Sequence, residues 1–162
     1  MRDEILWAPW RASFVLSKKE KGCVFCRRCK QRDTVENLIV FRGRNVFVIL
    51  NKFPYNAGHL MVVPNRHVGH LENLKSDEAA EFFEVTRRAV KALKKVLKPH
   101  SLNLGMNLGK ASGAGVPGHL HMHIVPRWIG DTNFMPVIGK TKLVSVPLEP
   151  LYEKIKAELA RS

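Results

Sequence analysis

Two hydrophobic periods divide the chain. From Ser76 onward, Ala79, Phe82, Phe83, Thr86, Ala89, Val90, Leu93, Val96 and Leu97 recur at the spacing of helical turns, so they share one face. Ser76 is the expected N-cap, Asp77 and Glu78 suit the positive end of the helix dipole, Lys94, Lys95 and Lys98 suit the negative end, and Pro99 stops the helix. The long helix divides segments of strand character. Leu38 to Phe41 and Val46 to Leu50 are apolar, rich in β-branched and aromatic residues, and separated by Arg-Gly-Arg-Asn, the pattern of a hairpin. His59 to Val63, closed by Pro64, reads as a third strand, and Leu102 to Asn107 as a fourth. A shorter helix is expected from Leu148 to Leu159. The pattern predicts an α+β fold with a mainly antiparallel five-stranded sheet, one long helix and a short C-terminal helix. At 162 residues one domain over positions 1–162 is expected, with residues 1–17 as an aromatic arm carrying Trp7 and Trp10.

The fifth strand carries the chemistry. Gly118 to Trp128 reads GHLHMHIVPRW, which sets His119, His121 and His123 at alternate positions among Leu120, Met122 and Ile124. Side chains alternate along a strand, so three imidazoles share one face and three apolar residues the other. Such a face supplies a nucleophile and proton donors to one reacting centre, or ligands to one metal.

Composition narrows the setting. Hydrophobic residues at 45% and charged residues at 25% are ordinary globular proportions, with no apolar run long enough to span a bilayer and no charged-then-apolar leader, so a cytoplasmic protein is expected. The net charge of +13 favours polyanions, whether nucleotide polyphosphates or nucleic acid. The basic residues are scattered rather than gathered in a tail or a nucleic-acid motif, and binding nucleic acid does not call for three histidines on one face. A nucleic-acid partner is therefore possible but not favoured. Cys23, Cys26 and Cys29 are the only cysteines and crowd into GCVFCRRC. An odd cluster points to metal binding or free thiols rather than a disulfide framework. Gly113, Gly115 and Gly118 spell GxGxxG, but a strand follows where a dinucleotide-binding turn needs a helix. The loop reads instead as a phosphate cradle, with backbone N–H groups and the Ser112 hydroxyl as donors.

The histidine segment resembles the signature of the histidine triad superfamily of nucleotide hydrolases and transferases. The resemblance extends to Asn51 through His67 (NKFPYNAGHLMVVPNRH), and LWAPWR at Leu6 to Arg11 with GDTNFMP at Gly130 to Pro136 is similar to the branch containing diadenosine tetraphosphate phosphorylases. It implies that His121 attacks the α-phosphorus of a nucleotide to form a nucleotidyl-histidine, while His123 and His59 bind the phosphoryl oxygens. It further implies a ribose contact from Asn51 and a phosphate contact from Asn107.

The same resemblance implies a structural zinc held by Cys23, Cys26, His67 and His119, leaving Cys29 surplus. It implies a homodimer, with Trp7, Trp10 and Trp128 as candidate subunit or adenine contacts. Where many relatives carry Ser or Thr three residues before the first triad histidine, this chain has Val116. That departure favours a leaving group needing no proton, such as a nucleoside polyphosphate. The implied activity is cleavage of diadenosine tetraphosphate to ADP and ATP with inorganic phosphate, or hydrolysis with water as the acceptor.

Overall fold

The computed structural model describes residues 22–131 and 146–161. The aromatic arm with Trp7 and Trp10 lies outside the described residues, as does most of GDTNFMP. Among the described residues the elements are, in order, α1 (Val24–Cys29), β1 (Ile39–Arg42), β2 (Val46–Leu50), β3 (Leu60–Pro64), α2 (Ser76–Leu97), β4 (Ser101–Gly105), β5 (Met122–Arg127) and α3 (Leu148–Arg161), with a 3-10 turn at Leu71–Asn73. The five strands form one antiparallel sheet in the order β1-β2-β3-β5-β4. The α+β architecture is the one the apolar pattern predicts.

Two strands, β2 and β3, are buried along their whole lengths because both faces of the sheet are covered. Neighbouring strands hold their paired residues on the same side. Ile49, Met61, His123 and Gly105 are therefore aligned in one row across β2, β3, β5 and β4. Leu60, Val62 and Ile124 alternate to the opposite side, where α2 packs against the sheet with Phe82, Val85, Ala89, Ala92 and Leu93 buried. Each large aliphatic side chain fully withdrawn from water contributes roughly 1.5–3 kcal/mol. The alternation thus assigns one face to stability and leaves the other for a cavity.

The structure corrects several expected boundaries. β3 starts at Leu60 rather than His59, β4 covers Ser101–Gly105 rather than Leu102 to Asn107, and α3 runs on to Arg161. His119 and His121 precede β5, which begins at Met122. Their backbone pairs elsewhere: the Leu120 N–H donates to the Val68 carbonyl at 2.7 Å and the His119 N–H to that of Val116 at 3.3 Å. Ser76 is not the N-cap. Lys75 is, and its N–H donates to the Glu78 carboxylate at 2.9 Å, so the cap comes from within the helix's first turn.

Glu78 also receives both arms of Arg66, at 2.8 and 2.7 Å, and Arg66 donates to the Asn73 carbonyl at 2.7 Å. This cluster fixes the chain immediately before His67. The Arg66 bonds and the Lys75 N–H lower the Glu78 carboxyl from 4.5 to about 2. A depressed carboxyl contributes stability that is complete above its unfolded value and disappears as pH falls through its folded one. Glu78→Gln is therefore expected to lower Tm at pH 7, and the gap to wild type should shrink as pH falls from about 4.5 towards 2. A gap that stays constant across pH in thermal melts contradicts this assignment.

Candidate active site and metal centre

Two sites meet at His119. The first is a group of four side chains, Cys23, Cys26, His67 and His119, whose ligand atoms all lie within 4.8 Å of one another. Cys23 flanks α1 at its N-cap and Cys26 lies inside it, one helical turn on. His67 arrives on the segment after β3, which runs beside residues 118–120: a Cβ on Gly69 would meet the Gly118 backbone at 3.1 Å. Cys23 Sγ lies 3.2 Å from His119 Nδ1, Cys26 Sγ 3.3 Å from His67 Nδ1 and 3.6 Å from His119 Nδ1, and the two imidazole Nδ1 atoms are 3.2 Å apart. A tetrahedral ion with S and N ligands at ordinary bond lengths sets these edges at roughly 3.3–3.8 Å. The donor set and the spacing both fit a metal ion. His119 Nε2–H donates to the Pro64 carbonyl at 2.8 Å, which leaves Nδ1 with the lone pair a ligand needs. Burial, with the Cys23 thiol beside it, pushes the Cys26 thiol up, a penalty that a bound cation reverses.

The second site is a cavity open to solvent at its mouth. Val24 and Phe25 of α1, with Leu38, Ile49 and Met61, supply apolar lining, and Asn51, Asn107, His121 and His123 supply polar lining, with Gly113 and Gly115 on the same wall. His121 is buried, and Phe25 packs on its ring with centroids 5.0 Å apart. Its Nδ1–H donates to the His119 carbonyl at 2.8 Å, so Nε2 bears the lone pair. Burial lowers its pKa, outweighing that backbone bond, and keeps the ring neutral at pH 7. A neutral imidazole with its lone pair on a cavity-lining ring is suited to nucleophilic attack.

His123 also lines the cavity, and His59 stands behind it, fully buried and absent from the lining. His59 Nδ1 accepts the Tyr55 N–H at 3.1 Å and faces the Asn51 amide at 3.3 Å. Its proton is therefore on Nε2, which donates to His123 Nδ1 at 2.9 Å and places the His123 proton on Nε2. The Tyr55 ring stacks on His59 with centroids 4.8 Å apart.

Of the other expected residues, Asn51 lines the cavity with its amide turned into its own loop, where Oδ1 accepts the Phe53 N–H at 2.9 Å. Asn107, Gly113 and Gly115 lie on the cavity wall as expected, and Val116 joins them. Ser112 and Gly118 do not. The Ser112 hydroxyl donates to the Gly109 carbonyl at 2.8 Å, and Gly118 sits beside the His67 ring. Cys29 stays outside the metal group, with its thiol 3.5 Å from Asn65 Oδ1. Phe25 and Tyr55 were not expected: Phe25 lies hidden in the sequence between Cys23 and Cys26, and Tyr55 acts through its backbone N–H and through its ring stacked on His59.

A family profile described as HIT domain matches residues 32–128. A Mycobacterium tuberculosis protein named AP-4-A phosphorylase is 38% identical, with 99% of this chain and 87% of that protein aligned. The asymmetrical bis(5'-nucleosyl)-tetraphosphatase of Schizosaccharomyces pombe is 31% identical over 60% of this chain and 53% of its own length. Among solved structures, a zinc-bound histidine triad family protein from Mycobacterium smegmatis superposes with a TM-score of 0.68 at 26% identity, covering 86% of this chain and 94% of that one.

The four-residue group is expected to take up about one divalent ion per chain. Cobalt titration should give the intense visible bands of a tetrahedral thiolate-bound ion, and Cys23→Ser or His67→Ala should weaken both those bands and thermal stability. Octahedral cobalt, or no difference between these variants and wild type, rules the site out.

Proposed function

Because the chain belongs to the HIT, or histidine triad, family, we propose that it transfers a nucleotidyl group from a dinucleoside polyphosphate. The favoured reaction is phosphorolysis of diadenosine tetraphosphate to ADP and ATP. The observation that carries this reading is the fixed tautomer of His121, whose Nδ1–H is held by the His119 carbonyl while the ring lines the cavity.

His121 Nε2 attacks the α-phosphorus. A P–N bond forms, the bond to the bridging oxygen breaks, and ATP departs. In the second displacement an oxygen of inorganic phosphate attacks the same phosphorus, the P–N bond breaks and ADP is released. The His123 Nε2–H donates to the phosphoryl oxygens during both steps, where charge accumulates. His59 acts through His123: with Nδ1 occupied and Nε2–H bonded to His123, it serves as a positioning residue rather than a phosphate contact. The Asn107 amide and the backbone at Gly113 and Gly115 supply further donors to the anions.

Val116 stands on the cavity wall where a hydroxyl would assist a poor leaving group. A nucleoside polyphosphate leaves as a stable anion without that help, which supports the polyphosphate substrate. The acceptor is argued from the likeness to the mycobacterial AP-4-A phosphorylase. Water as acceptor is the second reading, favoured by the likeness to the yeast tetraphosphatase.

Zinc is the metal we assign to Cys23, Cys26, His67 and His119, since two thiolates and two imidazoles suit it and the mycobacterial structural neighbour is zinc-bound. Its role is structural, tying α1 to the segment before β5. We assign the active form to a homodimer: β4 closes one end of the sheet among the described residues and exposes Leu104, and Leu108 is exposed in the segment that follows it. No helix among the described residues is long and apolar enough to cross a membrane, and the three unbridged cysteines favour the cytoplasm.

Incubating the protein with diadenosine tetraphosphate tests the reaction. With phosphate at roughly millimolar concentration the products should be ADP and ATP, and turnover should fall by roughly 10³-fold or more in His121→Asn. AMP with ATP in abundant phosphate makes the chain a hydrolase. Two molecules of ADP would mean attack at another phosphorus and defeat both readings.

A further inference from the structure

The phosphoryl-oxygen donor assigned to His123 depends on where its proton sits, and that placement traces back to a cluster outside the cavity. His59 Nδ1 accepts the Tyr55 N–H only while the loop over residues 51–59 keeps its shape. One bond inside that loop, from the His59 N–H to the Asn56 carbonyl at 3.1 Å, closes the turn. The Asn56 side chain ties the turn down: its amide donates to the Pro126 carbonyl on β5 at 3.0 Å and to Asp131 Oδ2 at 2.7 Å.

Asp131 is itself held by Arg127 and the Trp128 backbone. Arg127 grips both carboxylate oxygens, at 2.7 and 2.8 Å, and the Trp128 N–H reaches Oδ2 at 3.1 Å. The Arg127 guanidinium, foremost among these partners, keeps the Asp131 carboxyl well below the usual carboxylate range, so it accepts as an anion at neutral pH. Packing closes the other side of the loop. Gly58 adopts φ +76°, and a Cβ there would collide with Leu97 Cδ1 of α2.

We propose that Asn56 and Asp131 are a positioning pair that locks the Tyr55–His59–His123 relay and so keeps the His123 proton on the nitrogen offered to phosphoryl oxygens. Neither residue lines the cavity or belongs to the metal group. It anchors the turn to the C-terminal half of β5, and His123 lies near the start of the same strand, so both ends of the His59–His123 bond are fixed to one element. The proposal rests on the reading of His123 as a phosphoryl-oxygen donor, but the protonation pattern can be measured without turnover.

Long-range ¹H–¹⁵N spectra of the metal-loaded full chain, labelled at histidine, report which ring nitrogen carries hydrogen. In the wild type His59 and His123 should each show a single Nε2–H tautomer. Asn56→Ala should mix the tautomers of both rings and lower kcat by ~10-fold, since small misplacements at a reacting centre are costly. Its KM should stay within about twofold, the mark of an interaction used mainly in the transition state. Asp131→Asn keeps an oxygen facing the Asn56 amide and should retain the single tautomer and most of kcat. If Asn56→Ala is too unstable, Asn56→Ser removes the same contact with a smaller change. A wild-type His123 protonated on Nδ1, or an Asn56 variant that melts earlier with both tautomers intact, overturns the proposal. A chain with the predicted tautomers but no activity on dinucleoside polyphosphates would instead defeat the functional reading and leave the positioning pair standing.

Discussion

One imidazole joins the two sites. His119 donates Nε2–H to Pro64, turns Nδ1 to the cysteines and His67, and accepts the His121 Nδ1–H on its own carbonyl. Three segments distant in sequence, namely α1, the chain after β3 and the approach to β5, therefore converge on a single buried residue. The orientation of His121 follows from this convergence. If His119 shifts, the carbonyl that fixes the His121 tautomer shifts with it. A structural ion at this place would stiffen the His121 ring without touching it.

Burial governs the chemistry of the histidines. Charging an imidazole inside the protein costs solvation, so His119 and His121 are both held towards their neutral forms. Neutral rings need their protons placed, and the structure does this with backbone groups whose direction is unambiguous: carbonyls of Pro64 and His119 accept, and the N–H of Tyr55 donates. The +13 net charge favours the approach of polyanions, and Arg28 and Lys52 bring positive charge to the cavity wall itself.

Periodicity alone exposed the long helix, the hairpin and the antiparallel sheet, because both the helical turn and the strand alternation are properties of neighbouring positions. The alternation of histidines likewise separated a chemical face from Met122 and Ile124 in the core. It gave no sign that the ladder starts only at Met122, since the pairing of Leu120 with Val68 depends on a segment far away in sequence. The phosphate contact of His59 came from the resemblance to known relatives, and its depth behind His123 is a property of the folded sheet that no local pattern records. The cysteine pair was legible as a metal half-site, and the resemblance to known relatives supplied His67 and His119. Asn56 and Asp131, 75 positions apart, carried no local signal at all.

The central claim is that His121 Nε2 is the atom that takes the nucleotidyl group. Rapid mixing with diadenosine tetraphosphate in the absence of phosphate, quenching under alkaline conditions that preserve a phosphoramidate, and intact-mass analysis followed by peptide mapping test it directly. The account predicts one adenylyl group per active chain, located on His121 and discharged as ADP when phosphate is added before the quench. Turnover with no adduct under these conditions, or an adduct on another residue, would contradict it.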